Sequence, residues 1–275
     1  MQIIHTVSEL RNTLKTHQHI AFVPTMGNLH AGHIHLVALA KQRSACVVVS
    51  IFVNPLQFGA NEDFGSYPRT LEADCEKLAG LASIVFAPSV AEMYLEPQTM
   101  TITPPPIANT LCGASRPGHF AGVATVVMKL FNIVQPAVAV FGKKDFQQLF
   151  IIKQLVKQFN LPIEVIGVDT IREASGLALS SRNGYLNAQE RAAASQLNSA
   201  LQRIAQKIKS GNIAFDVLES EASKSLNSNG WQVDYISVRS ATTLLKAQTN
   251  DANLVVLGAA KLGSTRLIDN IEFDK

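Results

Sequence analysis

The residues best suited to chemistry in this 275-residue chain form the string Pro24-Thr25-Met26-Gly27-Asn28-Leu29-His30-Ala31-Gly32-His33. It follows a short apolar run at 20–23 and leads into a helical pattern at 32–43. Gly27 and Gly32 allow close backbone approach, and the start of a helix offers unpaired N–H groups to phosphate. His30 and His33 are three apart, which in helical geometry places both imidazoles on one face. There they can donate hydrogen bonds to phosphate oxygens and stabilise the charge that builds up in phosphoryl or nucleotidyl transfer. The rival readings are surface histidines, or metal ligation by His30, His33 and His35. At helical spacing His35 points elsewhere, so a third convergent ligand is missing.

Two further strings carry phosphate-type donors. Gly142-Lys143-Lys144-Asp145-Phe146-Gln147-Gln148 combines a glycine, cationic side chains and a helix start, an anion-binding corner in which Asp145 could equally be the helix cap. Gly176-Leu177-Ala178-Leu179-Ser180-Ser181-Arg182-Asn183 sets two hydroxyls beside a guanidinium, a set suited to triphosphate oxygens. Its plain alternative is a helix start capped by Ser181. Taken together, the three strings point to a nucleotide held between two domains.

The elements that must position these residues are legible as a pattern. Short β-type runs at 20–23, 47–53, 84–86, 137–141 and 163–168 alternate with helical patterns at 32–43, 70–81, 119–134 and 145–159. Such alternation indicates an α/β fold, a Rossmann-like doubly wound parallel sheet with helices on both faces. Ligands in such sheets bind beyond the carboxyl ends of the strands, where the strand order reverses. After about residue 169 the pattern changes to helices at 187–210 and 213–226, then short β-type runs at 233–238, 253–257 and 265–268. The expected division is therefore 1–169, a nucleotide-binding domain, and 170–275, a smaller α+β domain with an antiparallel sheet that closes over the nucleotide.

Composition narrows the function classes. With 47% hydrophobic and 16% charged residues the chain can bury a large core. A net charge of +3 is too small to argue for nucleic acid. The three cysteines, Cys46, Cys75 and Cys112, have no metal-site spacing, and Cys46 reads as a buried thiol. No apolar stretch nears the ~20 residues that span a bilayer, and residues 1–11 lack the order of a signal peptide. The cytoplasm is the expected location, with no membrane partner.

At the level of whole strings the chain resembles the pantothenate synthetases, or pantoate–β-alanine ligases, of the class I aminoacyl-tRNA synthetase-like nucleotidyltransferase superfamily. The resemblance rests on PTMGNLHAGH at 24–33, SIFVNPLQF at 50–58, YPRTLEAD at 67–74 and RPGHFAGV at 116–123. It continues through KLFNIVQP at 129–136, GKKDFQQ at 142–148 and GLALSSRNGYL at 176–186. It implies ATP with Mg²⁺, pantoate and β-alanine as substrates, a pantoyl-adenylate intermediate and a homodimer. It also implies site residues. Met26, Gly27, Asn28, Leu29, His30, Ala31, Gly32 and His33 would line the ATP pocket, with His33 in the position usually assigned as proton donor. Gly142, Lys143, Lys144 and Asp145 would grip the ribose and adenine side, Lys144 reaching the phosphates. Ile171 and Leu179, Ser180, Ser181 and Arg182 would complete the nucleotide site. Gln57 and Gln148 would hold pantoate, with Pro24, Met26, Asn54, Tyr67 and His119 around it; Arg116 falls in the same motifs. His30, His33, Lys144 and Arg182 would carry the chemistry. Two positions depart from the family pattern: Lys143, where Glu is usual, and Ser175, where Asp is usual.

Three other readings fit less well. An adenylyltransferase with a phosphorylated acceptor would call for more basic partners than Gln57 and Gln148. A tRNA synthetase would need an anticodon-binding extension. An ATP sensor without chemistry would have no use for intact His30, His33, Lys144 and Arg182. An adenylate must also be kept from water, and the stretch 58–66, with Gly59 and Gly65, is the expected lid.

Overall fold

The computed structural model describes residues 1–59 and 62–275. The chain divides into two compact units. The first holds Met1–Ala108, Arg116–Lys143 and Gln148–Asp169, and the second holds Asn109–Ser115, Lys144–Gln147 and Thr170–Lys275. Two short stretches that precede residue 169 thus belong with the later part of the chain.

Up to residue 169 the elements run β1 (Gln2–Ile4), α1 (Val7–Leu14), β2 (Ile20–Thr25), α2 (Ala31–Arg43), β3 (Cys46–Ile51), α3 (Leu71–Leu78) and β4 (Ile84–Phe86). They continue with α4 (Val90–Met93), α5 (Cys112–Ser115), α6 (His119–Val134), β5 (Val138–Gly142), α7 (Phe146–Gln158) and β6 (Glu164–Val168). The six strands form one parallel sheet in the order β1-β4-β3-β2-β5-β6. Both faces are covered, and strand alternation shows how. Ile20 and Phe22 of β2 join a cluster with Leu10 of α1, Val127 of α6 and Ile152 of α7. Ala21 and Val23, one residue out of phase, pack with Val37 of α2 and Leu78 of α3. A strand buried on both faces reads as one apolar run, which is why β2 and β3 stand out in the sequence. By contrast β1 buries only Ile4, and α1 is eight residues long, so neither gives a periodic signal.

The order of strands reverses at β2, which pairs with β3 on one side and β5 on the other. The carboxyl ends of β2 and β5 therefore flank the crevice where such sheets take ligands. Thr25 and Gly142 end those strands, and the strings 24–33 and 142–148 begin there.

The second unit contains α8 (Ala188–Ala193), α9 (Ser195–Lys209), α10 (Phe215–Ser228), β7 (Trp231–Ser240), β8 (Asn253–Leu262) and β9 (Thr265–Asp274). The strands form an antiparallel sheet in that order. The single helix expected at 187–210 is two, because its hydrogen-bond ladder lapses at Ala194, although Ala194 keeps helical dihedrals (φ −61°, ψ −26°). The strands are ten residues each, longer than the apolar runs that announce them. Their outer residues, such as Gln232, Lys261 and Asp274, are exposed and hide the period. Leu197, Leu201 and Ile204 of α9 pack on Ile236, Leu254 and Val256 to make the core.

Candidate functional site

In the first unit, β2 runs straight into a tightly built turn. The Thr25 hydroxyl donates to the Ser50 carbonyl (2.7 Å) and accepts from the Gly27 N–H (3.2 Å). Gly27 (φ +82°) and Asn28 (φ +50°) are both left-handed, a combination that turns successive N–H groups to one side. A side chain at 27 would press on Ile51 and on Asp74, so glycine is required there twice over. The Asp74 carboxylate, fully buried, accepts the Asn28 N–H (2.8 Å) and the Leu29 N–H (2.7 Å), and the Thr70 hydroxyl at 3.0 Å. Lys77 holds the Leu29 carbonyl at 2.8 Å.

His30 lies outside α2 as its cap, with extended dihedrals, and not on the helical face that the spacing suggests. Its Nδ1 accepts the Gly32 N–H (3.1 Å), while His33 Nδ1 accepts the His30 N–H (3.3 Å). The two rings nevertheless meet, with centroids 4.0 Å apart. A backbone N–H only donates, so both Nδ1 atoms are acceptors and each neutral imidazole carries its hydrogen on Nε2. At the helix start itself the Gly32 N–H is already taken, by His30. The amides of 28 and 29 are taken by Asp74, and those of 30 and 32 by the two histidines.

Beside it, a 3₁₀ turn (Pro55–Gln57) presents Gln57, itself buried. Gln57 Oε1 accepts from Asn54 Nδ2 at 3.1 Å, and Gln57 Nε2 approaches the Met26 sulfur at 3.1 Å. Arg116 donates to His119 Nε2 (2.9 Å), so the His119 hydrogen is on Nδ1, which donates to the Gln57 carbonyl (2.8 Å). Arg116 also grips Glu62 through two nitrogens. Burial alone would raise the Glu62 carboxyl, but the hydrogen bond and charge of Arg116 hold it below the usual range. Tyr67 is buried against the edge of Phe58, which also meets Phe64. The stretch 58–66 expected as a lid includes residues 60 and 61, which lie outside the described residues.

The main chain of Gly122 on α6 passes so close to this turn that a Cβ there would collide with the Leu56 carbonyl and sit 2.8 Å from Gln57 Cα. Gly122→Ala must therefore move backbone. It is expected to cost about 1–3 kcal/mol in urea unfolding and to weaken whatever Gln57 binds.

At the end of β5, Lys143 pairs with Asp169 (2.9 Å), which offsets the positive charge this departure introduces. Asp145 closes a 3₁₀ turn (Lys143–Asp145), stands directly before α7 and is exposed. Gln148 lies half-buried on the first turn of α7. Pro24 sits within β2 opposite Ser50.

In the second unit, residues 171–179 form a small hairpin, bridged between Arg172 and Ala178 and closed by the Leu179 N–H on the Ile171 carbonyl (3.0 Å). Ser175 serves its turn by accepting the Leu177 N–H at 3.4 Å, the part Asp would take. Ser180, not Ser181, caps the following 3₁₀ turn (Ser181–Tyr185), accepting the Arg182 N–H at 3.2 Å. Arg172 clasps Asp269 through both nitrogens (2.7 and 2.8 Å), and Asn270 holds the Lys144 carbonyl at 2.9 Å. The hairpin, Lys144 and β9 are thus one assembly. Asp74, Arg172 and Asp269 are the supports that the sequence does not single out. Asp74 ends the string YPRTLEAD, its one visible signal.

The family model described as pantoate-beta-alanine ligase matches residues 2–272. The chain belongs to the pantoate–β-alanine ligase family. A pantothenate synthetase of Methylobacillus flagellatus is 65% identical over 99% of this chain and 99% of its own length. The crystal structure of a pantothenate synthetase from Thermus thermophilus superposes with a TM-score of 0.93 at 41% identity, over 98% of this chain and 99% of that one. A pantoate-beta-alanine ligase from Francisella tularensis, solved with beta-gamma ATP and beta-alanine, gives a TM-score of 0.79 at 38% identity, over 98% and 97%. The six-stranded parallel sheet and the small antiparallel sheet are the architecture the family resemblance implies. Among the described residues no helix is long and apolar enough to cross a membrane.

Proposed function

We propose that this chain condenses pantoate with β-alanine at the expense of ATP, giving pantothenate, AMP and pyrophosphate. The observation that carries the reading is family membership over residues 2–272, joined to a pair of neighbouring imidazoles and an oriented glutamine near the strand ends where such sheets bind ligands. In the first step a pantoate carboxylate oxygen attacks the α-phosphorus and the bond to the bridging oxygen of pyrophosphate breaks. The nitrogen of β-alanine then attacks the acyl carbon of the adenylate, AMP leaves, and the ammonium proton is lost. Anion meeting anion is the main obstacle, so neutralising charge contributes most to lowering the barrier.

Each residue has a part in this scheme. His30 and His33 donate Nε2–H to phosphate oxygens as negative charge grows, and Met26 to His33 shape the nucleotide pocket. Gly142 to Asp145, Ile171 and Leu179 to Arg182 complete the hold on ATP, Lys144 and Arg182 supplying positive charge. Gln57 and Gln148 hold pantoate, with Pro24 and Tyr67 beside it.

Among the described residues no group of three or more His, Cys, Asp or Glu could hold a metal ion. A Mg²⁺ that enters bound to the ATP phosphates fits this donor set, since it keeps its waters and needs no protein cage. When bound it would offset phosphate charge. A cytoplasmic homodimer belongs to the same reading, and sedimentation of the purified protein checks the dimer.

One assay tests the function. Purified protein with ATP, Mg²⁺ and pantoate should release AMP and form pantothenate once β-alanine is added. Release of AMP that does not depend on the amine, or no release at all, sinks the ligase reading.

A further inference from the structure

The family resemblance puts Asn54 beside the acid substrate, but its surroundings leave it no capacity to bind one. It is 1% exposed. Its Oδ1 accepts the Leu56 N–H (3.3 Å) and the Tyr94 hydroxyl (2.7 Å). Its Nδ2 donates to the Gly122 carbonyl (3.2 Å) and to Gln57 Oε1 (3.1 Å). A primary amide has two donors and two good acceptor positions, and all four are used.

The orientation of this amide is decided by backbone. Leu56 N–H can only donate and Gly122 C=O can only accept, so Asn54 cannot be turned over without burying two like-to-like contacts. Tyr94 adds a third constraint. Burial pushes its hydroxyl up to about 12, so it stays protonated and remains a donor at any ordinary pH. With Asn54 fixed, Gln57 is fixed in turn: its oxygen faces Asn54 and its NH₂ faces away, toward Met26. His119 and Arg116 pin the Gln57 carbonyl from the other side, at 2.8 and 3.4 Å.

We infer that Asn54, clamped by Tyr94, is a positioning residue that locks the polarity of Gln57, so that Gln57 meets the acid only as a hydrogen-bond donor. The group it recognises is an acceptor oxygen, carboxylate or hydroxyl. Met26 sulfur, a weak acceptor, occupies one of the Nε2 hydrogens until that oxygen arrives. This rests on the proposal that Gln57 binds pantoate.

A double-mutant cycle reads the lock directly. Asn54→Ala is expected to raise KM for pantoate by about tenfold or more, with KM for ATP within about twofold of the parent. In a Gln57→Ala background the same change should move KM for pantoate by less than about twofold, because the residue acted through is gone. An equal effect in both backgrounds overturns the inference, as does a matching rise in KM for ATP. Tyr94→Phe, which keeps the ring, repeats the cycle with a smaller shift if Asn54→Ala does not fold. Gln57→Glu tests the donor itself: it keeps the shape, replaces NH₂ by oxygen, and should all but abolish pantoate saturation. Normal saturation by pantoate in that variant would also overturn the lock. Absence of pantothenate formation by the parent protein would instead strike the proposed function, so the two failures are distinct.

Discussion

Exchange of His33 for asparagine is expected to slow adenylate formation by about 10²–10³-fold while leaving the fold intact. The reasoning rests on which ring nitrogen does which job. His33 Nδ1 accepts the His30 N–H, and Nε2 carries the hydrogen. Asparagine places its Oδ1 where Nδ1 was, so the cap survives, but nothing stands at the Nε2 position. Glutamine can reach either the cap, through Oε1 as in an ordinary capping box, or the Nε2 position, through its amide nitrogen, but not both at once. His33→Gln should therefore keep more of the rate than His33→Asn and cost less than about 1 kcal/mol of stability, the usual value of a helix cap. Pyrophosphate release with ATP and pantoate measures the first quantity, and thermal unfolding the second. Equal loss of rate in both variants would show that the ring acts through the turn it braces and not through an Nε2 donor. The same pair of changes at His30, whose Nδ1 holds the Gly32 N–H, should behave alike.

How much of this arrangement the sequence foretells depends on what kind of interaction is involved. The parallel sheet is legible because β2 and β3 are buried on both faces, and burial leaves an uninterrupted apolar run. The helix at 119–134 is legible for a related reason, with 12 of its 16 residues buried. The three-residue β1 is not, because a period cannot be seen in so few positions. Strand ends in the antiparallel sheet are lost where exposed polar residues replace the apolar alternation.

The site follows a different logic. Its candidate residues lie in strings recognisable one by one, whereas the supports act across long separations that no local pattern records. Asp74 is 46 residues from the Asn28 amide it holds, and Tyr94 is 40 from Asn54. The spacing of His30 and His33 predicts that the rings are neighbours, and they are, but through a cap and not through a shared helical face. Composition of a motif names the groups present. Which atom of each group is committed to the protein, and which is left to face a ligand, emerges only from the partners that folding brings in.

In the second unit the largest effect should come from Asp269, whose replacement by alanine is expected to destabilise the fold by about 3–5 kcal/mol. Asp269 is 5% exposed, and its carboxylate accepts from four donors: both terminal nitrogens of Arg172, Asn198 Nδ2 (3.0 Å) and the Asn270 N–H (2.8 Å). Alanine would leave the Arg172 guanidinium without its bidentate partner, and losing one side of such a buried pair costs more than the pair contributes. Arg172 also donates to the Gly176 and Asn270 carbonyls, so it joins the 171–179 hairpin to β9. Leu179 to Arg182 continue from that hairpin, and Asn270 holds the Lys144 carbonyl. The stability loss should therefore come with a raised KM for ATP and little change in KM for β-alanine. Asp269→Asn, which keeps one acceptor, should show both effects at roughly half size. Urea unfolding reads the first quantity and initial rates against ATP the second. Loss of stability with unaltered KM for ATP would mean that Asp269 holds the unit together without setting the residues assigned to the nucleotide.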